Sequence, residues 1–185
     1  MTFRKATQED IVAISNIYAA THEAEESRKL TIGWIRGVYP TAETAKAALQ
    51  RGDLFVGTDD GVIFGTAIIN QRQLAEYENA RWEYAAEERE VMVLHTLVID
   101  PALAGRGYGK SFVAFYEAYA ASQGCRCLRM DTQAINKTAR AMYKKLGYKE
   151  VDTVPCEAFN GIKEIQLVLL EKKLPARQFS GISAG

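Results

Sequence analysis

The sequence is poor in the residues that announce metal or redox chemistry. Its 185 residues hold three cysteines and two histidines, and His22 and His95 do not stand at zinc-ligand spacing from Cys125, Cys127 or Cys156. No metal is therefore expected, and an odd number of thiols points to buried, reduced side chains. Cys125 and Cys127, one residue apart in an alternating segment, are expected on one side of a strand. An excess of charge is lacking as well: 23 basic side chains balance 23 acidic ones. That excludes the overall basic character of a nucleic-acid binder, so any anion site must be local. No apolar run approaches the length of a membrane span, and Met1–Arg4 leads into polar residues rather than a signal core. A cytoplasmic protein without membrane or nucleic-acid partners is the expectation.

What is present suits one hydrophobic core: 48% of residues are apolar and 25% charged, in the ordinary range for globular domains. Residues 1–173 are expected to form a single domain, and 174–185, small and polar, a mobile tail. Phe3–Ala6 alternates as a strand, and Ile11, Ile14, Ile17 and Tyr18 recur at helical spacing. Thr41 is placed to cap a helix ending near Gly52. Leu54–Thr58 and Val62–Asn70 flank Asp59-Asp60-Gly61, a hairpin signal. A polar stretch over 71–90 precedes the long strand Val91–Ile99. Phe112, Val113, Phe115, Tyr116 and Tyr119 mark a further helix, followed by a strand over Cys125–Thr132 and a helix over Asn136–Lys145. Lys149–Val154 and Ile162–Glu171 close the pattern as a hairpin around Asn160-Gly161. Strands and helices in this order imply an α/β (α+β) fold, a mixed sheet with helices on its faces.

The segment richest in chemical meaning runs from His95 to Ser111. An apolar strand leads into Gly105, Gly107 and Gly109, and a helix follows whose first N–H groups and dipole favour an anion. Two readings compete. Ala104 to Ser111 nearly fits a P-loop, which would make the protein a phosphotransferase using ATP and Mg²⁺. Gly105 to Gly109 also fits the pyrophosphate loop of a coenzyme A enzyme. Asp100-Pro101-Ala102-Leu103 separates the strand from the loop, where a P-loop leaves its strand directly, and Arg129 interrupts the strand that would have to present an Mg²⁺-binding Asp131.

The second reading gains from Leu97-Val98-Ile99-Asp100-Pro101 followed by Ala104-Gly105-Arg106-Gly107-Tyr108-Gly109, and from Asn136-x-x-Ala139-x-x-x-Tyr143-x-x-x-Gly147-Tyr148 downstream. In these motifs the chain resembles the GNAT superfamily of acetyl-CoA-dependent N-acetyltransferases, over nearly its whole length. Ala104 departs from the usual Arg or Gln. The resemblance implies a mostly antiparallel mixed sheet of about seven strands flanked by about four helices, with acetyl-CoA as cosubstrate.

By that resemblance, the pantetheine arm pairs with the strand edge at Leu97, Val98 and Ile99, and the pyrophosphate rests on the backbone from Ala104 to Lys110 through Gly105, Arg106, Gly107, Tyr108 and Gly109. Lys137, Arg140, Lys144 and Lys145 are candidates for the ribose phosphate. Asn136, Ala139 and Tyr143 share one helical face, so they can line a single ligand. Tyr143 would protonate the departing thiolate, and a backbone N–H near Leu97 would hold the oxyanion. An alkylamine acceptor has a pKa near ~10 and needs a base. His95 is the candidate, with Glu90 and Glu83 as rivals. An unbroken strand puts His95 on the side of Leu97 and Ile99. The acceptor, a small-molecule or peptide amine, is not specified by sequence. A non-catalytic acyl-CoA sensor is a further alternative, and edge pairing by the C-terminal hairpin is one route to a homodimer.

Overall fold

Alternation at Leu54, Phe55 and Val56 sends neighbouring side chains to opposite faces of a strand. The computed structural model, which describes residues 1–175 apart from the Ala158 side chain, buries both faces. Among the described residues, seven strands form one sheet: β1 (Thr2–Lys5), β2 (Leu54–Asp59), β3 (Val62–Asn70), β4 (Val91–Ile99), β5 (Cys127–Gln133), β6 (Lys149–Phe159) and β7 (Ile162–Lys173). Their spatial order is β1-β2-β3-β4-β5-β7-β6. Neighbours run antiparallel except β4 and β5, which are parallel. The α-helices are α1 (Ile11–Glu26), α2 (Ala42–Arg51), α3 (Tyr108–Ser122) and α4 (Lys137–Lys145). The mixed, mostly antiparallel architecture implied by the sequence is the one observed.

One face of the sheet packs on α3 and α4, where Phe55, Phe64, Met92, Leu94 and Met130 meet Phe112, Tyr116 and Tyr143. The other face is shared. α1 and α2 cover Leu54, Val56, Ile68 and Val98, while the segment between β3 and β4 covers Val91, Val93, Leu167 and Leu169. That segment has only two single helical turns, Ala75–Tyr77 and Glu88–Glu90, yet it is anchored from below. Arg129, buried in β5, pairs with the fully buried Glu171 and lies 4.0 Å beneath the Trp82 ring.

One expectation changes. Cys125 and Cys127 do not share a side, because β5 begins only at Cys127: Cys125 packs with the α3 cluster and Cys127 on the opposite face. All three thiols are buried and unpaired. The Leu174 N–H donates to the Arg126 carbonyl at 2.8 Å, and the rest of the expected tail, residues 176–185, lies outside the described residues. Among the described residues no helix is long and apolar enough to cross a membrane.

Candidate active site

β4 carries one residue more than β3 between two points of register: Ile68 faces His95, whereas Thr66 faces Val98. Thr96 absorbs the extra residue with φ at 49°, a left-handed conformation that strains a β-branched side chain. Its hydroxyl is hydrogen-bonded to Tyr39 Oη. The bulge inverts side-chain parity along the strand. Leu97 and Ile99 therefore join Met92 and Leu94 on the α3 face, while His95 keeps the parity of Val91 and Val93 on the other. The expectation that His95 shares a side with Leu97 and Ile99 fails for this reason.

Beyond the bulge the two parallel strands part. β4 and β5 pair only from Val91–Cys127 to Leu94–Met130. β5 then stays with β7, with Asp131 opposite Leu169 and Gln133 opposite Leu167. Among the described residues, the edge of β4 that would face β5 is thus unpaired from His95 onward. The Asp100 N–H donates to the Phe64 carbonyl, which makes Gly65–Ile99 a pair whose own N–H and C=O groups turn away from each other, so those of Ile99 point into the gap. Alternation gives Leu97 the same direction. Val98 turns towards β3, and its side chain packs with Ile68 under α1.

A cavity of about 370 Å³ fills this gap and gathers His95, Leu97, Asn136, Ala139 and Tyr143 with Tyr39, Asn70 and Asp131. Asn136 Oδ1 accepts the Ala139 N–H at 3.1 Å and so caps α4, which aims the helix start at the cavity. Among the described residues, Tyr143 Oη has no hydrogen-bond partner, and burial raises its pKa.

The glycine loop lies outside the cavity lining, at the far end of β4. Gly105 and Gly107 have φ of 81° and 83°; among the described residues a Cβ at either would meet nothing within 4 Å, so backbone conformation rather than space requires glycine there. Tyr108 turns inward: its ring stacks on Phe64 and its hydroxyl donates to Asp59 Oδ2 at 2.8 Å. α3 thereby presents the N–H groups of Tyr108, Gly109 and Lys110 without intrahelical partners, while the Ala104 N–H is taken by Pro101. Arg106 and Lys110 are exposed beside them. Arg140 is not free for a phosphate, since Glu150 and the Ala134 carbonyl hold its guanidinium.

Burial sets the proton chemistry. Asp131 is pushed up to about 6, although Tyr77 Oη, donating to its Oδ2 at 2.8 Å, stabilises the charged form. His95 is pushed down to about 4. His95 Nε2 lies 3.2 Å from Asn70 Oδ1, and Asn70 Nδ2 donates to Asp53. Asn70 Oδ1 is thus the acceptor, and Nε2 carries the hydrogen. Glu90 and Glu83 do not line the cavity: Arg126 pairs with the first and Lys149 with the second. Asp131, Tyr39 and Asn70 line the cavity although the sequence motifs place none of them there.

A model of the acetyltransferase (GNAT) family matches residues 12–148. An uncharacterized N-acetyltransferase of Methanocaldococcus jannaschii is 33% identical over 76 residues, which are 41% of this chain and 34% of that protein; the chain thus spans about a third of that relative's length. Among solved structures, a GNAT-family acetyltransferase of Streptococcus agalactiae superposes with a TM-score of 0.78 at 20% identity, covering 95% of this chain and 96% of that one. A protein of Salmonella typhimurium solved with its cofactor acetyl-CoA gives 0.68 at 17% identity, with 98% of each chain covered. At such identities these two establish a common fold.

Proposed function

The chain belongs to the acetyltransferase (GNAT) family, and from that premise we propose that it moves an acetyl group from acetyl-CoA directly onto an amine in the cavity between β4 and β5. The observation that carries this reading is the parting of the two strands. Among the described residues it leaves the edge of β4 at Leu97 and Ile99 without a strand partner, with Leu97 in the same cavity as Tyr143 and Asp131.

The residues present fit the cosubstrate. An open strand edge can take the amides of a pantetheine arm as an added strand would, and the unpaired N–H groups at the start of α3, with Arg106 and Lys110, suit a pyrophosphate. Gly105 and Gly107 give the loop its shape, Ala104 offers no side-chain contact, and Asn136 and Ala139 would border the arm from α4. Acetyl-CoA supplies an activated thioester carbonyl. The Leu97 N–H would stabilise negative charge developing on the carbonyl oxygen, as a fixed donor that need not reorganise. Asp131, ionised above pH about 6, would take the proton the amine loses as its nitrogen bonds to the acetyl carbon. Tyr143 would give its proton to the sulfur as the carbon–sulfur bond breaks. His95, neutral above pH about 4, is the second candidate for the base. Burial pushes the Cys127 thiol up to about 12, which leaves it a poor nucleophile and favours direct transfer.

The P-loop reading is not favoured. β4 is antiparallel to β3, and a full helical turn at Pro101–Leu103 separates strand from loop. A sensor would bind acetyl-CoA without turnover. Thiol release from acetyl-CoA across a panel of amines tests the proposal. Release that depends on the amine supports it, and binding without release from any amine favours a sensor.

A further inference from the structure

The charged groups around the cavity differ from those expected of a site for cationic acceptors. The segment between β3 and β4 is rich in glutamate, yet none of Glu76, Glu78, Glu83, Glu87, Glu88 and Glu90 lines the cavity. Glu78 and Glu88 border a separate hollow beside Trp82 and Arg129. The acid that does line the cavity is Asp131; its other charged neighbours are Arg51 and Arg72.

The two arginines are not equivalent. Arg51 is held by Asp53 through Nε and Nη2, at 2.9 and 3.2 Å, which leaves Nη1 unused. Arg72 pairs with no carboxylate among the described residues. Its backbone is fixed, because its N–H donates to Asn70 Oδ1 at 2.9 Å. With Asp53 balancing Arg51, Arg72 leaves this end of the cavity with a net positive charge. It is also distant from the coenzyme phosphates. Asn70 faces Val93 near the start of β4, whereas the glycine loop follows its end, roughly 20 Å away at the rise of a strand. Arg72 is therefore placed to meet the acceptor.

We propose that the acceptor is an amino carboxylate, a small molecule whose primary amine enters towards Asp131 while its carboxylate is held by Arg72, with Arg51 beside it. This rests on the acetyl-transfer reading above. A guanidinium binds a carboxylate through paired N–H groups and repels a second ammonium, so the same geometry selects against polyamines and lysine-rich peptides.

The test uses the full chain and matched acceptors that differ by the carboxylate alone: phenylalanine against phenethylamine, and 4-aminobutyrate against n-propylamine. Thiol release should give a kcat/KM at least about tenfold higher for one or both carboxylated members. Arg72→Gln should remove most of that preference by raising KM, and Arg72→Lys should restore part of it. Arg72 is exposed, so these variants should fold, and the thermal shift given by acetyl-CoA reports whether the cofactor end is intact. Equal or slower turnover of both carboxylated members, or a preference unchanged in Arg72→Gln, overturns the inference. If the wild type gives neither an acetyl-CoA shift nor thiol release with any acceptor, the acetyl-transfer reading fails with it.

Discussion

Tyr77 donates its hydroxyl hydrogen to Asp131 Oδ2 across 2.8 Å, joining the segment that roofs the sheet to the acid of the cavity. The bond opposes the burial that raises the Asp131 pKa to about 6. Tyr77→Phe keeps the packing and removes the donor, so the pKa should rise further. The acid limb of the kcat/KM profile should lie near pH 6 in the wild type and move up by roughly one unit in the variant. A limb near pH 4 in both would assign the base to His95.

The same carboxyl has a stability consequence. Its folded pKa lies above the unfolded value near ~4, so its contribution is fully present below pH ~4 and is lost as pH rises through about 6. Asp131→Asn should therefore be more stable than the wild type at pH 8 by about 1–3 kcal/mol, with little difference at pH 4. Urea unfolding at the two pH values measures this. The variant should also lose most of its turnover.

Tyr143→Phe should lower kcat by about a hundredfold or more, the range for loss of a general acid, with acetyl-CoA affinity little changed. Equal turnover would remove Tyr143 from the chemistry and leave it a core aromatic of α4.

Gly107 is the N-cap residue of α3, at φ 83° and with open space around it among the described residues. Gly107→Val should weaken acetyl-CoA binding by twisting the loop, at a stability loss of about 1–3 kcal/mol. Calorimetric titration separates the two effects, and unchanged affinity would move the phosphates elsewhere.

Asp10 binds Arg4, on β1, through both oxygens and accepts the Thr7 N–H. The Arg4 guanidinium is the main cause holding its carboxyl down at about 2. A depressed pKa stabilises the fold above the unfolded value near ~4 and is lost as pH falls through about 2. Asp10→Asn should cost about 1–2 kcal/mol at pH 7, measured by thermal unfolding.

Local signals carried much of this. Glycines where φ is positive, Asn136 with Tyr143 on one helix face, and the Asp60-Gly61 and Asn160-Gly161 turns are written in neighbouring residues. The bulge at Thr96 is not, because threonine favours extended strands and its left-handed backbone is held through Tyr39, 57 residues away in sequence. For the same reason alternation alone puts His95 on the wrong side of the strand. Asp131 gained its meaning from Tyr77, and Arg129, which looked like a break in an apolar strand, from Glu171 and Trp82. Such pairings form only when the chain has folded.

Acetyl-CoA is expected to pair with the open edge of β4, and amide hydrogen exchange at Leu97 and Ile99, measured with and without acetyl-CoA, reads that pairing. Saturation should slow exchange at both amides by about tenfold or more, while Val98, already turned to β3, changes little. Unchanged exchange at Leu97 and Ile99 with acetyl-CoA bound would mean that the coenzyme does not pair with β4.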